Sequence, residues 1–240
     1  MNILAINGSP RGRRSNTHRM IKEILKGAKM KRATTDNVFL SELKIKHCLG
    51  CFACWSSKKN RECIIKDDMQ LIIEKYLQAD IIIYGTPLYS DNISSLLKTF
   101  IDRCLPMLSP HLEKDMGGEY RHNEGDTPKA KFIIVSNGAF PEPSQFQVIS
   151  HYFKRLARNV NTEVIAEIYR GQGLWLSLPK YSDNRPIIDA YFQLLNHVGE
   201  VIAINGTLSE EVQLSLQKEF ASDDEYMRDR EIYWKSMLSD

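Results

Sequence analysis

Near its start the chain reads Asn7-Gly8-Ser9-Pro10-Arg11-Gly12-Arg13-Arg14-Ser15-Asn16-Thr17. This stretch follows an apolar run, residues 1–6, that is typical of a buried strand. It precedes apolar residues at the three- and four-residue spacing of a helix. The first amides of a helix have no intrahelical partner and together carry about half a positive charge. We therefore predict a strand, a phosphate-binding loop and a helix start at this point.

Side chains of the same loop add donors and positive charge that suit a phosphate. They are the hydroxyls of Ser9, Ser15 and Thr17, the amide of Asn16, and the guanidinium groups of Arg11, Arg13 and Arg14. A simpler interpretation is a capped helix after a turn, because Ser15 or Asn16 would suit an N-cap in any protein. The glycine spacing matches neither the dinucleotide fingerprint nor the ATPase phosphate loop.

Composition excludes several classes of protein. The 240 residues are 42% apolar, which is enough for the core of one large domain or of one domain with an extension. No apolar run approaches the ~20 residues of a membrane helix. A formal net charge of +2 does not argue for nucleic acid or an anionic membrane as a partner. No basic segment precedes the first apolar run, so we expect no signal peptide and a cytoplasmic location.

Strand and helix patterns alternate along the chain. The predicted strands lie at 1–6, 37–40, 79–85, 131–135 and 162–169. The predicted helices lie at about 15–31, 92–105, 144–159 and 187–204, with another that Asp67 and Asp68 cap. We interpret residues 106–129 as a long surface loop. The alternation predicts an α/β fold, with a doubly wound five-stranded parallel sheet, helices on both faces and a helical C-terminal extension.

Ligands of such sheets lie at the carboxyl ends of the strands, beside the point where the winding reverses. This rule brings three loops into one site, at residues 8–17, 86–90 and 137–140. Tyr89 and Phe140 can lie against a flat ring, and Pro87 and Gly138 let backbone amides approach it. Alternatively, Tyr89 and Phe140 are ordinary packing aromatics. A phosphate and a flat ring on this sheet indicate FMN.

Five segments within residues 1–140 occur in an order known from one family. They are Gly8-Ser9-Pro10-Arg11 with Ser15-Asn16-Thr17, the cysteines 48, 51, 54 and 63, Asp67-Asp68-Met69, Thr86-Pro87-Leu88-Tyr89, and Leu97-Lys98-x-Phe100-Ile101-Asp102-Arg103. In these segments the chain resembles the flavodoxin-like NAD(P)H-dependent FMN reductases, and among them the iron–sulfur flavoproteins.

The resemblance implies a flavodoxin-like FMN-binding domain at 1–170, with a cysteine-rich insertion at 47–63. Residues 171–240 are then a helical extension packed on the same domain. It also implies a homodimer or homotetramer, with the flavin near a subunit interface. The predicted FMN-binding residues are Ser9, Arg11, Ser15, Asn16, Thr17, Thr86, Pro87, Leu88, Tyr89, Ser90, Asn137, Gly138 and Phe140.

The four crowded cysteines, Cys48, Cys51, Cys54 and Cys63, have the spacing C-x2-C-x2-C-x8-C. Four thiolates at such spacing suit a [4Fe–4S] cluster, which the iron–sulfur flavoproteins carry at this place. Their last gap is typically shorter than the eight residues here, so residues 56–62 either loop out or mark a site that has lost its cluster. Zinc, a dithiol or disulfide pair near the flavin, and plain reduced cysteines remain alternatives. Cys104 has the helical spacing of a core residue.

The predicted function is an FMN-dependent NAD(P)H oxidoreductase. It passes a hydride from NAD(P)H to FMN N5, and then electrons to a small-molecule acceptor or a redox protein. Because the cofactor supplies the difficult chemistry, we predict no catalytic side chain. One alternative is an iron–sulfur and FMN electron-transfer protein without NAD(P)H activity of its own, and another is a flavin-binding regulatory or storage protein. The loop 171–175 is either a lid or a structural turn, and residues 223–231 are expected to form a solvated helix face.

Overall fold

A five-stranded parallel sheet lies at the centre of the molecule. The computed structural model describes residues 1–56, 61–123, 129–180 and 182–238. In chain order the strands are β1 (Asn2–Asn7), β2 (Thr34–Phe39), β3 (Ile81–Pro87), β4 (Leu112–Lys114), β5 (Tyr120–His122), β6 (Lys131–Asn137) and β7 (Val164–Arg170). The sheet has the order β2-β1-β3-β6-β7, with every pair parallel. The predicted α/β fold is confirmed, and the winding reverses between β1 and β3.

Helices cover both faces of the sheet. They are α1 (Asn16–Met30), α2 (Met69–Leu77), α3 (Ser95–Asp102), α4 (Gln147–Asn159), α5 (Arg185–Asn205), α6 (Glu210–Gln217) and α7 (Asp223–Leu238). Apolar residues of α1 and α5 form the core on one face, and those of α2, α3 and α4 form the core on the other. Residues of α6 and α7 extend the first core. Within the described residues, no helix has both the length and the hydropathy needed to cross a membrane.

The strand β3 shows why the sheet is buried on both sides. All seven of its residues are buried. Ile81 and Ile83 face the core of α1 and α5, whereas Ile82 and Tyr84 face the opposite core. Side chains of a strand alternate between faces, so only a continuous apolar run can fill two cores at once. Full burial of each isoleucine contributes roughly 1.5–3 kcal/mol.

The interpretation of residues 106–129 as a surface loop was wrong in part. The strands β4 and β5 form an antiparallel hairpin there, and Gly118, with a φ of +80°, lies in its turn. Arg158 of α4 contacts Asp115 and Glu119 of this hairpin through ion pairs. Strands of three residues are too short for an alternating pattern to be read. Residues 124–128 of the predicted loop lie outside the described residues.

Two glycines let α1 and α5 pack so closely that their backbones are in contact. A Cβ atom on Gly27 of α1 would lie 1.8 Å from the carbonyl oxygen of Asn196. A Cβ atom on Gly199 of α5 would lie 1.8 Å from the carbonyl oxygen of Ile24. No side chain fits at either position unless the helices separate. The contact therefore fixes the position of α1, whose N-terminus follows the predicted phosphate loop.

We expect Gly199→Ala to lower the free energy of unfolding, although alanine in a helix interior is about 1 kcal/mol better than glycine. Overpacking at such a contact typically costs 1–3 kcal/mol, and we expect this cost to be larger than the gain in helix propensity. Chemical denaturation measures the difference. Ile204→Ala, on the exposed side of the same helix, is the control and should change stability by about 0.5 kcal/mol or less. An unchanged or raised stability of Gly199→Ala would contradict the proposed close packing.

Candidate functional site

The loop between β1 and α1 has a shape that its glycines and one asparagine determine. The amide of Gly8 donates to the carbonyl of Gly85 at 2.7 Å, and a Cβ atom on Gly8 would lie 2.6 Å from Cβ of Leu97. The side-chain oxygen of Asn7 accepts the amide of Ser9 at 3.0 Å. Gly12 has a φ of +52°, in the left-handed region that favours glycine. The loop is therefore pressed against β3 and α3 and turns sharply into α1.

Ser15 is the N-cap of α1. Its hydroxyl oxygen accepts the amide of His18 at 3.0 Å and donates to the carbonyl of Gly12 at 2.7 Å. The capping interpretation of Ser15 is thus confirmed. The amides of Asn16 and Thr17 are the first of the helix and have no intrahelical acceptor. The structure therefore leaves the helix N-terminus, rather than the Ser15 hydroxyl, as the anion-binding feature of this loop.

Asn137 joins the three loops that the sequence predicts to meet. Its side-chain amide donates to the hydroxyl of Thr17 at 2.9 Å. Its carbonyl accepts the amide of Leu88 at 2.9 Å. One residue at the end of β6 therefore contacts the start of α1 and the loop after β3. The three segments lie side by side at the carboxyl edge of the sheet.

These loops border a cleft of about 720 Å³. The predicted binding residues that line it are Ser9, Arg11, Ser15, Asn16, Thr17, Pro87, Leu88, Tyr89, Asn137 and Gly138. Thr86, Ser90 and Phe140 are not part of this lining. The Thr86 hydroxyl is buried, accepting the amide of Ser94 and donating to the carbonyl of Pro87, each at 2.9 Å. Its role in the structure is to hold the loop that follows β3.

A tight turn holds Tyr89 at the edge of the cleft. Tyr89 and Asn92 exchange two backbone hydrogen bonds of 3.0 Å each. Ser90 and Asp91, between them, have φ values of +48° and +57°. Such values in residues other than glycine are uncommon and cluster at functional sites. The turn leaves 46% of Tyr89 exposed beside the cleft, so its ring is available to a ligand.

Backbone amides in the loops after β3 and β6 already donate hydrogen bonds within the protein. The amide of Gly138 donates to the carbonyl of Arg170 at 2.9 Å, and that of Leu88 donates to Asn137. A Cβ atom on Gly138 would lie 2.2 Å from the side-chain oxygen of Gln145. Close packing within the protein therefore explains this glycine. This side of the cleft offers a ligand mainly apolar contact.

Two further walls border the cleft; the sequence offered the loop 171–175 as either a lid or a structural turn, and it did not predict the wall from α7. Residues 173–179 supply one, and the side chain of Asn16 joins it by donating to the carbonyl of Gly173 at 2.7 Å and accepting from the hydroxyl of Ser177. Trp175 in this wall is fully buried, and its indole nitrogen has no hydrogen-bond partner among the described residues. The glycines at 171 and 173 were the sequence signal for this loop.

The helix α7 supplies the other wall. The expectation of a solvated face at 223–231 was wrong for one side of the helix, because Tyr226 is fully buried and donates to the carbonyl of Ala139 at 2.6 Å. Asp229 and Arg230 also line the cleft. The sequence did not reveal this contact, because a segment with so many charged residues normally indicates a solvent-exposed helix.

The four crowded cysteines lie around one small cavity. Cys48 and Cys51 are exposed, Cys63 is half-buried and Cys54 is buried. All four line a space of about 20 Å³ beside Arg103. Burial raises the pKa of the Cys54 thiol, and the three neighbouring thiols add to the effect. In the part of the chain that the structure describes, no three His, Cys, Asp or Glu side chains are arranged to hold a metal ion. Residues 57–60 of the gap lie outside the described residues.

The family model for NADPH-dependent FMN reductase matches residues 1–118. These residues, just under half of the chain, are similar to that family. The matched part contains β1 to β3, the loop before α1 and the cysteine segment. It ends before β6, so the Asn137 loop, the wall at 173–179 and α7 lie outside the matched region.

Individual relatives agree with this family. An iron–sulfur flavoprotein of Methanocaldococcus jannaschii is 39% identical over 109 residues, covering 45% of this chain and 53% of the relative. One from Archaeoglobus fulgidus is 38% identical over 103 residues, covering 43% of this chain and 48% of the relative. The chain thus spans about half the length of the curated relatives it matches. An FMN-dependent NADH-azoreductase of Bacillus anthracis, solved with FMN, covers 84% of this chain and 99% of its own, with a TM-score of 0.58 and 16% identity. This last likeness shows the flavodoxin-like fold alone.

The chemistry of the cleft fits the FMN of this reductase family. One end has a helix N-terminus, the buried hydroxyl of Thr17 and the guanidinium of Arg11, which suit a phosphate. The other end has Leu88 and Tyr89, which suit a flat ring. Trp175, which lines the cleft, has a buried indole N–H without a hydrogen-bond partner among the described residues. The cysteine cavity, by contrast, does not have the arrangement of a formed metal site.

A buried ion pair and its neighbouring hydrogen bond hold the chain on both sides of the cysteine segment. Arg103, just after α3, donates to both carboxylate oxygens of Asp67 at 2.7 and 3.1 Å, and to the carbonyl of Lys46 at 2.7 Å. Both charged side chains are buried. Burial acts to raise the pKa of Asp67, but its hydrogen bonds, first among them those from Arg103, hold that pKa below its usual value. Asp67 therefore anchors the chain instead of exchanging protons.

We expect Arg103→Met to lower the free energy of unfolding by about 3–5 kcal/mol, because it leaves the Asp67 carboxylate buried without its cation. Denaturant titration measures the loss. Lys98→Met removes a cation from an exposed pair with Asp102 on α3 and should cost less than about 0.5 kcal/mol. Equal effects of the two substitutions would show that burial does not strengthen the Arg103–Asp67 pair.

Proposed function

We propose that this protein is an FMN-dependent oxidoreductase that oxidises NAD(P)H and reduces a second substrate. The observation that supports the proposal is that three loops meet at Asn137 around one cleft, which has a helix N-terminus at one end and apolar side chains at the other. Bound FMN supplies the hydride chemistry. The residues of the chain bind the cofactor, orient it and exclude water. No side chain of the cleft is assigned a catalytic role.

The phosphate end would act through positive charge and free amides. The dipole of α1 and the amides of Asn16 and Thr17 favour a dianion. Arg11 lines the same end of the cleft and adds a full charge. The Asn137 side chain keeps the Thr17 hydroxyl in position, since that hydroxyl accepts its hydrogen bond. The Thr17 proton is therefore free to be donated to a phosphate oxygen.

The ring end would act through shape and apolar surface. Pro87 and Leu88 form one side of the cleft, and Leu174 and Trp175 form another. Such surfaces exclude water from a flat ring and limit its orientation. The half-exposed ring of Tyr89 lies at the border of this apolar part. A dry and shaped site favours hydride transfer, because excluding water strengthens the contacts that hold the donor and acceptor rings in place and protects the reduced flavin from side reactions.

We expect Arg11→Ala to weaken FMN binding about tenfold and to leave riboflavin binding unchanged. The reason is that riboflavin lacks the phosphate that Arg11 would contact. Flavin fluorescence titration of the apoprotein measures both dissociation constants. Arg14→Ala removes the same charge from the same turn but from outside the cleft lining, and should alter FMN binding by about twofold or less. Equal losses for FMN and riboflavin would refute the assigned phosphate end, and failure of the wild type to bind FMN would refute the proposed function.

We also expect the FMN-loaded protein to be reduced rapidly by NADPH or NADH under anaerobic conditions. Stopped-flow absorbance follows the bleaching of the flavin, and dithionite gives the fully reduced reference. Bleaching by dithionite but by neither nucleotide would exclude the reductase. It would instead favour an electron carrier that exchanges electrons only with other proteins.

The cysteine cavity is the observation that favours this second candidate. Four thiols face one space, and relatives of the N-terminal half are named iron–sulfur flavoproteins. A [4Fe–4S] cluster needs four thiolates, and the chain has them there. Anaerobic purification followed by iron, sulfide and zinc analysis distinguishes a cluster, zinc and free thiols. No step of the proposed reductase reaction depends on the result. Assembly as a homodimer or homotetramer stays a prediction that analytical ultracentrifugation can test.

A further inference from the structure

A second cavity lies at the edge of the sheet, outside the cleft. Its volume is about 410 Å³, within the range of roughly 300–1,000 Å³ that is typical of small-molecule sites. Residues of α4, of the end of β7 and of α6 line it. The strand β7 is the last of the sheet, and α4 and α6 pack on its opposite faces. All three elements lie beyond residues 1–118, the part of the chain that the family model matches.

Backbone contacts separate this edge cavity from the cleft. The amide of Gln172 donates to the carbonyl of Phe140 at 3.0 Å. A Cβ atom on Gly171 would lie 2.6 Å from the carbonyl oxygen of Pro141, so the two loops touch at their backbones. Among the described residues, none lines both spaces. The loops after β6 and β7 therefore form a wall between them.

Tyr169 supplies a flat and rigid surface in the edge cavity. Its ring is half-buried and is stacked on the buried ring of Phe146, with centroids 5.0 Å apart and an angle of 6° between the planes. Its hydroxyl donates to the Glu167 carboxylate at 2.9 Å. Burial, together with this carboxylate, raises the pKa of Tyr169, so the phenol keeps its proton. An uncharged ring that is held in this way can stack with a planar ligand.

The charged side chains around the edge cavity balance one another. They are the cations Lys154 and Arg170 and the carboxylates Glu167 and Glu219. Lys154 pairs with Glu167 at 2.9 Å. The guanidinium of Arg170 already donates to backbone carbonyls near the end of α6. The cavity therefore has no excess positive charge to attract a phosphate.

Glutamines from two helices provide hydrogen-bonding groups at the rim. Gln147 belongs to α4, and Gln213 and Gln217 lie four residues apart on α6. Gln147 and Gln217 are exposed, which leaves their side chains accessible to a ligand. A glutamine amide carries both an acceptor and donors, and it can pair with the N6 and N7 atoms of adenine at once. Amide groups beside an aromatic surface thus suit the edge and the face of a purine base.

We propose that the edge cavity is a second ligand site, and that it binds an uncharged adenine nucleoside. The base stacks on Tyr169, and glutamine amides of α4 and α6 bind its edge. Leu216 and Pro143, which also line the cavity, add apolar contact. The inference does not depend on the proposed function, because the edge cavity and the cleft are lined by different residues.

The test is calorimetric titration of the full chain with adenosine, with and without saturating FMN. We expect saturable binding with the same dissociation constant in both conditions. Tyr169→Leu should raise that constant about tenfold, because it removes the stacking surface, and Tyr169→Phe should leave it within about twofold of the wild type. Gln217→Ala, at an exposed position of α6, should weaken adenosine binding about fivefold without disturbing the fold.

A matched control lies on another helix. Gln70 is an exposed glutamine of α2 that does not line the edge cavity, so Gln70→Ala should leave adenosine binding unchanged. The affinity of every variant for FMN should also stay unchanged. Uridine lacks the purine N7 and should bind more weakly than adenosine, whereas equal binding of the two would overturn the assignment of adenine. AMP that binds tenfold more tightly than adenosine would overturn the assignment of an uncharged ligand.

Photolabelling with 8-azidoadenosine shows where the nucleoside binds. We expect labelled peptides from residues 147–154 or 213–219. Labels confined to residues 8–17 or to α7, or loss of adenosine binding when FMN is added, would place the nucleoside in the cleft and overturn the inference. The absence of saturable adenosine binding would overturn it as well. A protein that binds adenosine but not FMN would refute the proposed reductase and still support the second site.

Discussion

The candidate site depends on the hydrogen bonds of one residue, Asn137. Its side chain reaches the Thr17 hydroxyl at the start of α1, and its carbonyl accepts the Leu88 amide after β3. The sheet order makes this possible, because β6 lies beside β3, and Asn137 is paired in register with Pro87. A shorter side chain could not span the gap to α1. The cleft therefore has a fixed width at the point where a phosphate end would meet a ring end.

The C-terminal part of the chain is attached to the same sheet through Arg170. Arg170, the last residue of β7, is buried between the rings of Tyr191 and Phe220, at 4.3 and 4.4 Å from their centroids. Its guanidinium donates to the carbonyls of Leu216 and Lys218 near the end of α6. Carbonyl groups at a helix C-terminus and aromatic faces both stabilise a cation. These contacts determine where α6 ends, and hence where α7 begins beside the cleft.

Sequence reasoning succeeded where the signal is local. The buried strand β3 was evident from its apolar run, and the cap at Ser15 from its residue type before an apolar helix. The meeting of the loops after β1, β3 and β6 followed from a topological rule instead of from any contact. The cysteine spacing indicated that the thiols share one space, and they do. That spacing could not show whether the thiols adopt the geometry of a metal site, because this depends on backbone torsions throughout the segment.

Reasoning from the sequence failed where the signal is tertiary. The hairpin of β4 and β5 is too short for periodicity, and its contacts are ion pairs with α4. The helix α7 has apolar residues on several sides, and its residues that line the cleft include Asp229 and Arg230. No hydrophobic pattern in the sequence marks these residues. The two ends of the cleft differ in the same way, because one depends on a local signal and the other on tertiary contacts. The end of the cleft near α1 is built mainly by consecutive residues and can be recognised from the sequence. The outer wall is built by α7, more than 200 residues later, so it can be located only from coordinates.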